Sequence, residues 1–341
     1  MERRLTELWY QEDAGPSLLQ PLSWLYGGVV VLRRGAYTRG WLATHRVGKP
    51  VIVVGNLTVG GTGKTPLVIW LARQLSERGL RVGVVSRGYG SSKSEAPRLI
   101  SPQSNWQEVG DEPILISRRT GCTTVVGRDR VAAAKVLVDN HVDVVIADDG
   151  LQHLRLARDC EIIVIDGARG FGNRRLLPSG PLREPASRVS AADFVVVNGE
   201  MEHSSLARVG LPRTRAAQMT LVPGAVQRVD GQGSSRSLED FRDGQVHGVA
   251  GIGNPSRFFR DLHARGLDVI EHPFPDHHPF TWEDLSFGDD LPVLMTEKDA
   301  VKCVQFAEPR WWYVPTDAVF SETQARDLLD HVLHKIGPLT H

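Results

Sequence analysis

Val51-Ile-Val-Val-Gly-Asn-Leu-Thr-Val-Gly-Gly-Thr-Gly-Lys-Thr65 is the stretch from which the fold follows. Val51 to Val54 is a short β-branched run, the pattern of a buried parallel strand. It breaks into a loop carrying Gly55, Gly60, Gly61 and Gly63, which closes on Lys64-Thr65. A helical pattern follows: Pro66 suits a first turn, Leu67, Leu71 and Leu75 share one face, and Gly79 stops it. Strand, glycine loop, Lys-Thr and helix form a phosphate cradle. N–H groups at the helix start point at an anion, Lys64 adds a point charge, and Thr65 can hold Mg²⁺. The predicted nucleotide-binding residues are Thr58, Val59, Gly60, Gly61, Thr62, Gly63, Lys64 and Thr65. The strict spacing G-x-x-x-x-G-K-[ST] asks for glycine at position 58, where this chain has Thr58; the flanking strand and helix support the motif despite it.

The rest of the first half repeats the alternation. Strands are predicted at Arg81 to Val85, Thr123 to Val126, Val142 to Ala147, Glu161 to Ile165 and Phe194 to Val197. Helices are predicted from Gly110-Asp-Glu-Pro113 onward and from Asp129 to Asn140, with Asp111 and Glu112 at the positive end of the first. Strands alternating with helices specify a parallel, doubly wound sheet with ligands at the C-terminal strand ends. Asp148-Asp149 directly follows an apolar strand, where P-loop enzymes keep an acid for Mg²⁺. Gly170 to Glu184 is a long loop rich in Gly, Pro and Arg, and loops of this length tend to be functional.

A chain of 341 residues suggests more than one domain. The predicted divisions are 1–45, an N-terminal membrane-interface helical segment; 46–212, the nucleotide-binding domain; and 213–341, a smaller α/β domain. In the last, strands are predicted at Val246 to Ile252, Leu267 to Ile270 and Pro292 to Met295. Helices are predicted at Pro255 to Arg265, from the Thr281–Asp284 capping pair, and from Ser321 to Ile336. Lys+Arg and Asp+Glu are both 40, so nothing points to nucleic acid. Cys122, Cys160 and Cys303 form no C-x-x-C pair, which argues against a zinc site or disulfide framework.

From Ala14 to Leu32 there is no charge, and Trp24, Leu25, Tyr26, Val29, Val30, Val31 and Leu32 crowd the second half. Spanning a bilayer takes ~20 mostly apolar residues, and Gly15, Pro16, Gln20, Pro21, Gly27 and Gly28 dilute this stretch. Glu2, Glu7, Glu12 and Asp13 sit where a signal peptide would be basic. Arg33, Arg34, Arg39, Arg46 and Lys49 follow, so the segment reads as a helix in a membrane surface. A helix packed on the protein's own core is the other reading.

An ordered set of motifs carries a family resemblance. It comprises the phosphate loop, Ser86-Arg-Gly-Tyr-Gly90, Gly110-Asp-Glu-Pro113, Asp148-Asp-Gly-Leu-Gln-His153 and Leu177-Pro-Ser-Gly-Pro-Leu-Arg-Glu184, then Gly251-Ile-Gly-Asn-Pro255, Phe274-Pro-Asp-His-His278 and Thr296-Glu-Lys-Asp299. Together they resemble the tetraacyldisaccharide 4′-kinases, P-loop kinases of lipid A biosynthesis. Arg174 departs from the Gly-Asn-Gly-Arg form expected there.

The resemblance implies transfer of the ATP γ-phosphate to the 4′-hydroxyl of a tetraacylated glucosamine disaccharide 1-phosphate, giving lipid IVA. It implies ATP and Mg²⁺ as cofactors and a monotopic protein on the cytoplasmic face of the inner membrane. No obligate protein partner is evident. Lys64 and the loop amides would hold the phosphates, with Thr65, Asp148, Asp149 and Glu184 around the metal. Asp111 would take the hydroxyl proton together with His277, or with His278 as second choice. Arg87, Tyr89 and Asp149 would face the lipid substrate.

The alternative is a membrane-recruited P-loop ATPase switch without a lipid substrate. Such switches carry an extra lysine in the glycine loop, where this chain has Val59. A GTPase needs Lys-x-Asp, whereas Lys298 and Asp299 are adjacent.

Overall fold

The computed structural model describes residues 9–10, 18–88, 96–101, 103–207 and 215–337. In chain order the strands are β1 (Val51–Gly55), β2 (Val82–Ser86), β3 (Arg98–Leu99), β4 (Thr123–Val126), β5 (Val144–Asp148), β6 (Cys160–Asp166), β7 (Phe194–Asn198), β8 (Ala216–Pro223), β9 (Gln227–Arg228), β10 (Gln245–Ala250), β11 (Asp268–Pro273), β12 (Val293–Thr296), β13 (Trp311–Val314) and β14 (Thr316–Val319). The longer helices are α1 (Gln20–Thr38), α2 (Lys64–Ser76), α3 (Asp111–Thr120), α4 (Arg130–Asp139), α5 (Pro255–His263), α6 (Glu297–Cys303) and α7 (Glu322–Ile336).

Among the described residues the larger sheet has nine strands in the order β14-β8-β7-β6-β1-β5-β2-β4-β3. β1 sits between β5 and β6, parallel to both, and is buried along its whole length. That burial is why the run is apolar throughout instead of alternating. The pairing of Val54 with Asp148 sets the end of β5 beside the start of the phosphate loop. Leu67, Leu71 and Leu75 of α2 pack with Ile114 and Ile116 of α3 and Leu328 and Val332 of α7 on one face of the sheet. α4 covers the other face through Val131, Ala134 and Leu137.

The smaller sheet has the order β11-β10-β12-β13-β9 among the described residues. The larger sheet draws on both sides of residue 213: β8 pairs with β7, β14 pairs antiparallel with β8, and α7 packs on the same core. β8, β13 and β14 have no counterpart in the sequence reading. β8 lies near an edge and alternates buried with exposed positions, a weaker signal than a fully apolar run. The helix expected from Thr281 is instead a short 3₁₀ turn, Glu283–Leu285. Asp284 does accept from Thr281 N at 2.9 Å, but Gly288 follows soon after and the helix goes no further.

α1 runs 19 residues, through Pro21, Gly27 and Gly28. One side docks on the protein. Ser23 Oγ donates to Leu176 O at 2.9 Å and accepts from Ser179 N at 2.9 Å, and Tyr26 Oη donates to Arg183 O at 3.0 Å. The other side leaves Leu22, Trp24, Leu25, Val29, Val31 and Leu32 exposed. Among the described residues no helix is long and apolar enough to cross a membrane.

Candidate active site

The phosphate loop is held from outside by its carbonyls. Asn56 Nδ2 donates to Thr58 O at 2.9 Å and to Gly60 O at 3.3 Å. Asn198 Nδ2, at the end of β7, donates to Thr62 O at 3.0 Å, and Arg169 donates to Gly61 O. The first-turn N–H groups of Lys64 and Thr65 have no acceptor within the helix, which suits them to an anion. Gly63 has φ 92°, and an added Cβ would lie 2.6 Å from Asn198 Nδ2, so glycine is required there on both counts. Thr58 needs no such freedom. It bridges Leu182 in an antiparallel pair and is not among the positive-φ residues, which explains why the strict motif's glycine is dispensable. Arg174 does hold a positive φ of 60°, the conformation a glycine there would adopt without strain.

Lys64 Nζ donates to Asn56 Oδ1 at 3.1 Å and lies 3.5 Å from Asp149 Oδ1. Asp149 also pairs with Arg183 at 3.1 Å. Burial would raise the Asp149 carboxyl, but Lys64 and Arg183 outweigh it and hold it well below the usual carboxylate range. Asp148 is the opposite case. Burial, then the neighbouring Glu112 and Asp149 charges, push it up to about 7. Its Oδ2 accepts from Ser86 Oγ at 3.2 Å, while its buried Oδ1 has no hydrogen-bond partner. A buried carboxylate with an open oxygen beside a phosphate cradle fits a divalent cation. Among the described residues no three His, Cys, Asp or Glu side chains converge as a complete metal site. Mg²⁺ commonly takes one or two carboxylates and completes its shell with phosphate and water.

Asp111 opens α3 and is buried. His277 Nδ1 lies 3.0 Å from its Oδ2 and 3.2 Å from its Oδ1. Burial works to raise the Asp111 carboxyl, but the His277 hydrogen bond and the Lys298 and Lys302 charges win and hold it at about 2. Burial pulls the His277 imidazole down, the Asp111 hydrogen bond outweighs it, and the net shift is upward. His277 adopts φ 60°, a strained backbone for a non-glycine residue of the kind that gathers at functional sites. His278 faces away, with Nε2 3.1 Å from Asp284 Oδ2.

Lys298 Nζ donates to Glu112 Oε1 at 3.0 Å and Asp276 Oδ1 at 3.2 Å, tying α6 to α3 and to the histidine loop. Gly253 completes the contact between the two halves. A Cβ there would lie 2.7 Å from Gly61 N and 3.3 Å from Asp276 Oδ2.

Two other predicted residues have partners of their own. Glu184 Oε1 accepts from Gln152 Nε2 at 3.0 Å, and its Oε2 lies 3.6 Å from Arg188 and 3.8 Å from Arg34 of α1. Arg87 is exposed just past β2, close enough to Arg130 and His153 for its charge to add to the burial that lowers both. Tyr89 lies outside the described residues.

Sequence reasoning left Asn56, Asn198, Arg183 and Lys298 without roles. Asn56 and Arg183 stood inside quoted motifs and Lys298 inside Thr296-Glu-Lys-Asp299, so the motifs themselves were the signal. Asn198 ends a strand of the parallel sheet, where ligand-side residues gather.

The family described as tetraacyldisaccharide-1-P 4′-kinase matches residues 16–334. A tetraacyldisaccharide 4′-kinase of Nitrosococcus oceani is 50% identical over 311 residues, covering 91% of this chain and 88% of its own. One of Alkalilimnicola ehrlichii is 48% identical over 323 residues, covering 95% and 94%. The crystal structure of LpxK from Aquifex aeolicus in complex with ATP superposes with a TM-score of 0.74 at 27% identity, covering 94% of this chain and 98% of that one. These relatives are kinases by name, which disfavours the switch alternative.

Proposed function

The chain belongs to the tetraacyldisaccharide-1-P 4′-kinase family and is a kinase of lipid A biosynthesis, and from that premise we propose how its residues divide the work. The phosphate loop and Lys64 hold the β- and γ-phosphates of ATP. Lys64 leaves its partners Asn56 and Asp149 to neutralise charge that builds during transfer. Thr65 and Asp148 hold Mg²⁺, with Asp149 beside them. The unpartnered Asp148 Oδ1 supports that assignment. The ion, when bound, offsets charge on the phosphates.

Asp111 receives the proton of the sugar 4′-hydroxyl, and His277 shares it. The hydroxyl loses its proton as its oxygen bonds to phosphorus and the bond to the β-phosphate oxygen breaks. The observation that carries this reading is the contact chain Gly61–Gly253–Asp276, which sets the Asp111–His277 pair next to the phosphate loop. Asp111 and His277 come from different sheets' connections, so the reaction centre lies between the two units. Arg87, Tyr89 and Asp149 are assigned to the lipid substrate, and Glu184, held by Gln152, to the surroundings of the metal. The exposed apolar face of α1 rests in the cytoplasmic leaflet of the inner membrane, where the acyl chains of the substrate are anchored.

Incubation with ATP, Mg²⁺ and tetraacyl disaccharide 1-phosphate, followed by mass analysis, tests the reading. One added phosphate on the distal sugar is expected. ATP turnover without phosphorylated lipid would return the switch alternative.

A further inference from the structure

Lys302 lies behind the proton-accepting pair and, beyond its charge on Asp111, is assigned no part in the transfer above. It is 2% exposed, and its ion-pair partner Asp299, 2.7 Å away, is 0% exposed. Its Nζ also lies 3.9 Å from Asp111 Oδ2 and 4.9 Å over the Phe280 ring. Asp299 in turn accepts from Gly251 N at 2.8 Å and Thr296 Oγ1 at 2.6 Å. A buried ion pair costs several kcal/mol per ion to desolvate, and an apolar pair of equal volume is often as stable. Stability therefore does not explain three buried charges in a row.

Geometry offers a reason. Lys298 and Lys302 are one helical turn apart on α6 and face the acidic start of α3, Lys298 on Glu112 and Lys302 on Asp111. Asp299, between them, holds the first residue of the Gly251–Pro255 loop whose Gly253 abuts Gly61. One short helix thus grips both the proton acceptor and the loop against the phosphate cradle.

We propose that Lys302 is a positioning residue for phosphoryl transfer, fixing the Asp111 carboxylate from behind and, through Asp299 and Gly251, tying its position to the loop that meets the phosphate cradle. It rests on Asp111 being the proton acceptor. The groups facing Asp111 are His277 from the loop after β11, Lys298 and Lys302 from α6 with Asp299 behind, and Glu112 beside it on α3. Removing Lys302 takes away one of the cations that oppose burial, so Asp111 becomes harder to keep ionised.

The test uses full-length protein carrying Lys302→Met alone and with Asp299→Asn, so that one variant leaves no unpaired buried charge. The folded double variant is expected to lose about 10-fold or more in kcat with KM for ATP little changed. The acidic limb of its pH–rate profile should move up. Lys302→Met in an Asp111→Asn background should cost nothing further. Full kcat with an unmoved limb, or losses that multiply, overturns the proposal. An Asp111→Asn enzyme that keeps its activity instead sinks the proton-acceptor reading itself. If both Lys302 variants fail to fold, the Lys302 amine ¹⁵N signal in wild type and Asp111→Asn decides. A shift is expected, and no shift overturns the contact.

Discussion

His277 Nδ1 lies 3.0 Å from Asp111 Oδ2 across 166 positions of chain, with Lys298 Nζ 3.5 Å from the other ring nitrogen. A carboxylate at a helix start is a weak base alone, because the helix field and nearby cations favour its ionised form. Sharing a proton with an imidazole whose own affinity is raised moves the pair toward the range useful near neutral pH.

The pair should therefore behave as one unit. Asp111→Ala and His277→Ala are each expected to lose about 10²- to 10⁴-fold in kcat. The double variant should be little worse than the poorer single. Steady-state kinetics on purified lipid in detergent checks this, and losses that multiply would mean the residues act separately. His278→Ala should cost far less in rate, because His278 caps Asp284 instead.

The shifts also fix a pH dependence. To accept a proton the pair must have room for it, so activity should rise with pH through a value above the ordinary histidine one. Stability runs the other way. His277 binds its proton more tightly folded than unfolded, so its contribution is full below the unfolded value and is lost as pH rises through the folded one. Asp111, held at about 2, contributes above its unfolded value of about 4 and loses this as pH falls through about 2. The Tm gap between wild type and His277→Ala should be widest near pH 5 and narrow above neutrality. A gap that widens with pH would contradict the ion pair.

Lys64→Ala should keep the fold and lower kinase activity by about 10²-fold or more. Asn56→Ala tests the loop's own scaffold, because Asn56 holds Thr58 O, Gly60 O and Lys64 together. It should raise KM for ATP even though Asn56 is assigned no phosphate. Isothermal titration with a non-hydrolysable ATP analogue separates the two. Lys64→Ala losing rate with near-normal binding would assign the lysine to the transition state, whereas Asn56→Ala should weaken binding itself.

The larger sheet was legible because its strands are buried on both faces and read as unbroken apolar runs, as at Val51–Gly55 and Cys160–Asp166. β14 escaped because it pairs only with β8 and carries Asp317, which serves Arg73 and Arg119. The meeting of Asp111 with His277 was implied by the family resemblance, and the chemistry agrees with it, since a helix-start carboxylate needs a partner to act as a base. Lys302 was not: an isolated lysine on a short helix looks solvated until the packing of Phe280 and Asp299 around it is known. Nor could a sequence say which of His277 and His278 turns inward, because that depends on a positive φ at His277.

α1 offers a separable test of membrane contact. Trp24 and Leu32 are exposed, whereas Ser23 and Tyr26 bind the loop around Leu176 to Arg183. Trp24→Glu with Leu32→Glu should reduce binding to anionic vesicles and raise KM for lipid in a bilayer, with kcat for detergent-dispersed lipid kept. Vesicle co-sedimentation measures it, and unchanged binding would mean the face has another use.

The last prediction concerns Gly253, which the sequence showed only as one glycine of a motif. A methyl group there would stand 2.7 Å from Gly61 N, closer than real side chains approach a backbone nitrogen. Something must give, and the candidates differ in function. If the Gly251–Pro255 loop moves, Asp276 and then His277 move with it, since Asp276 Oδ2 is also within 3.3 Å of that methyl. If the phosphate loop moves, the cradle for ATP is distorted. Either shift separates the proton acceptor from the phosphate, and a displacement of about 1 Å can cost about 10²-fold in rate. Gly253→Ala should therefore lower kcat/KM about that much while Tm changes little. Gly244→Ala is the control, because nothing lies within 4 Å of an added Cβ there. Equal activity of the two variants would show that the two halves stand apart during catalysis, and that the contact between Gly253 and Gly61 belongs to a resting state alone.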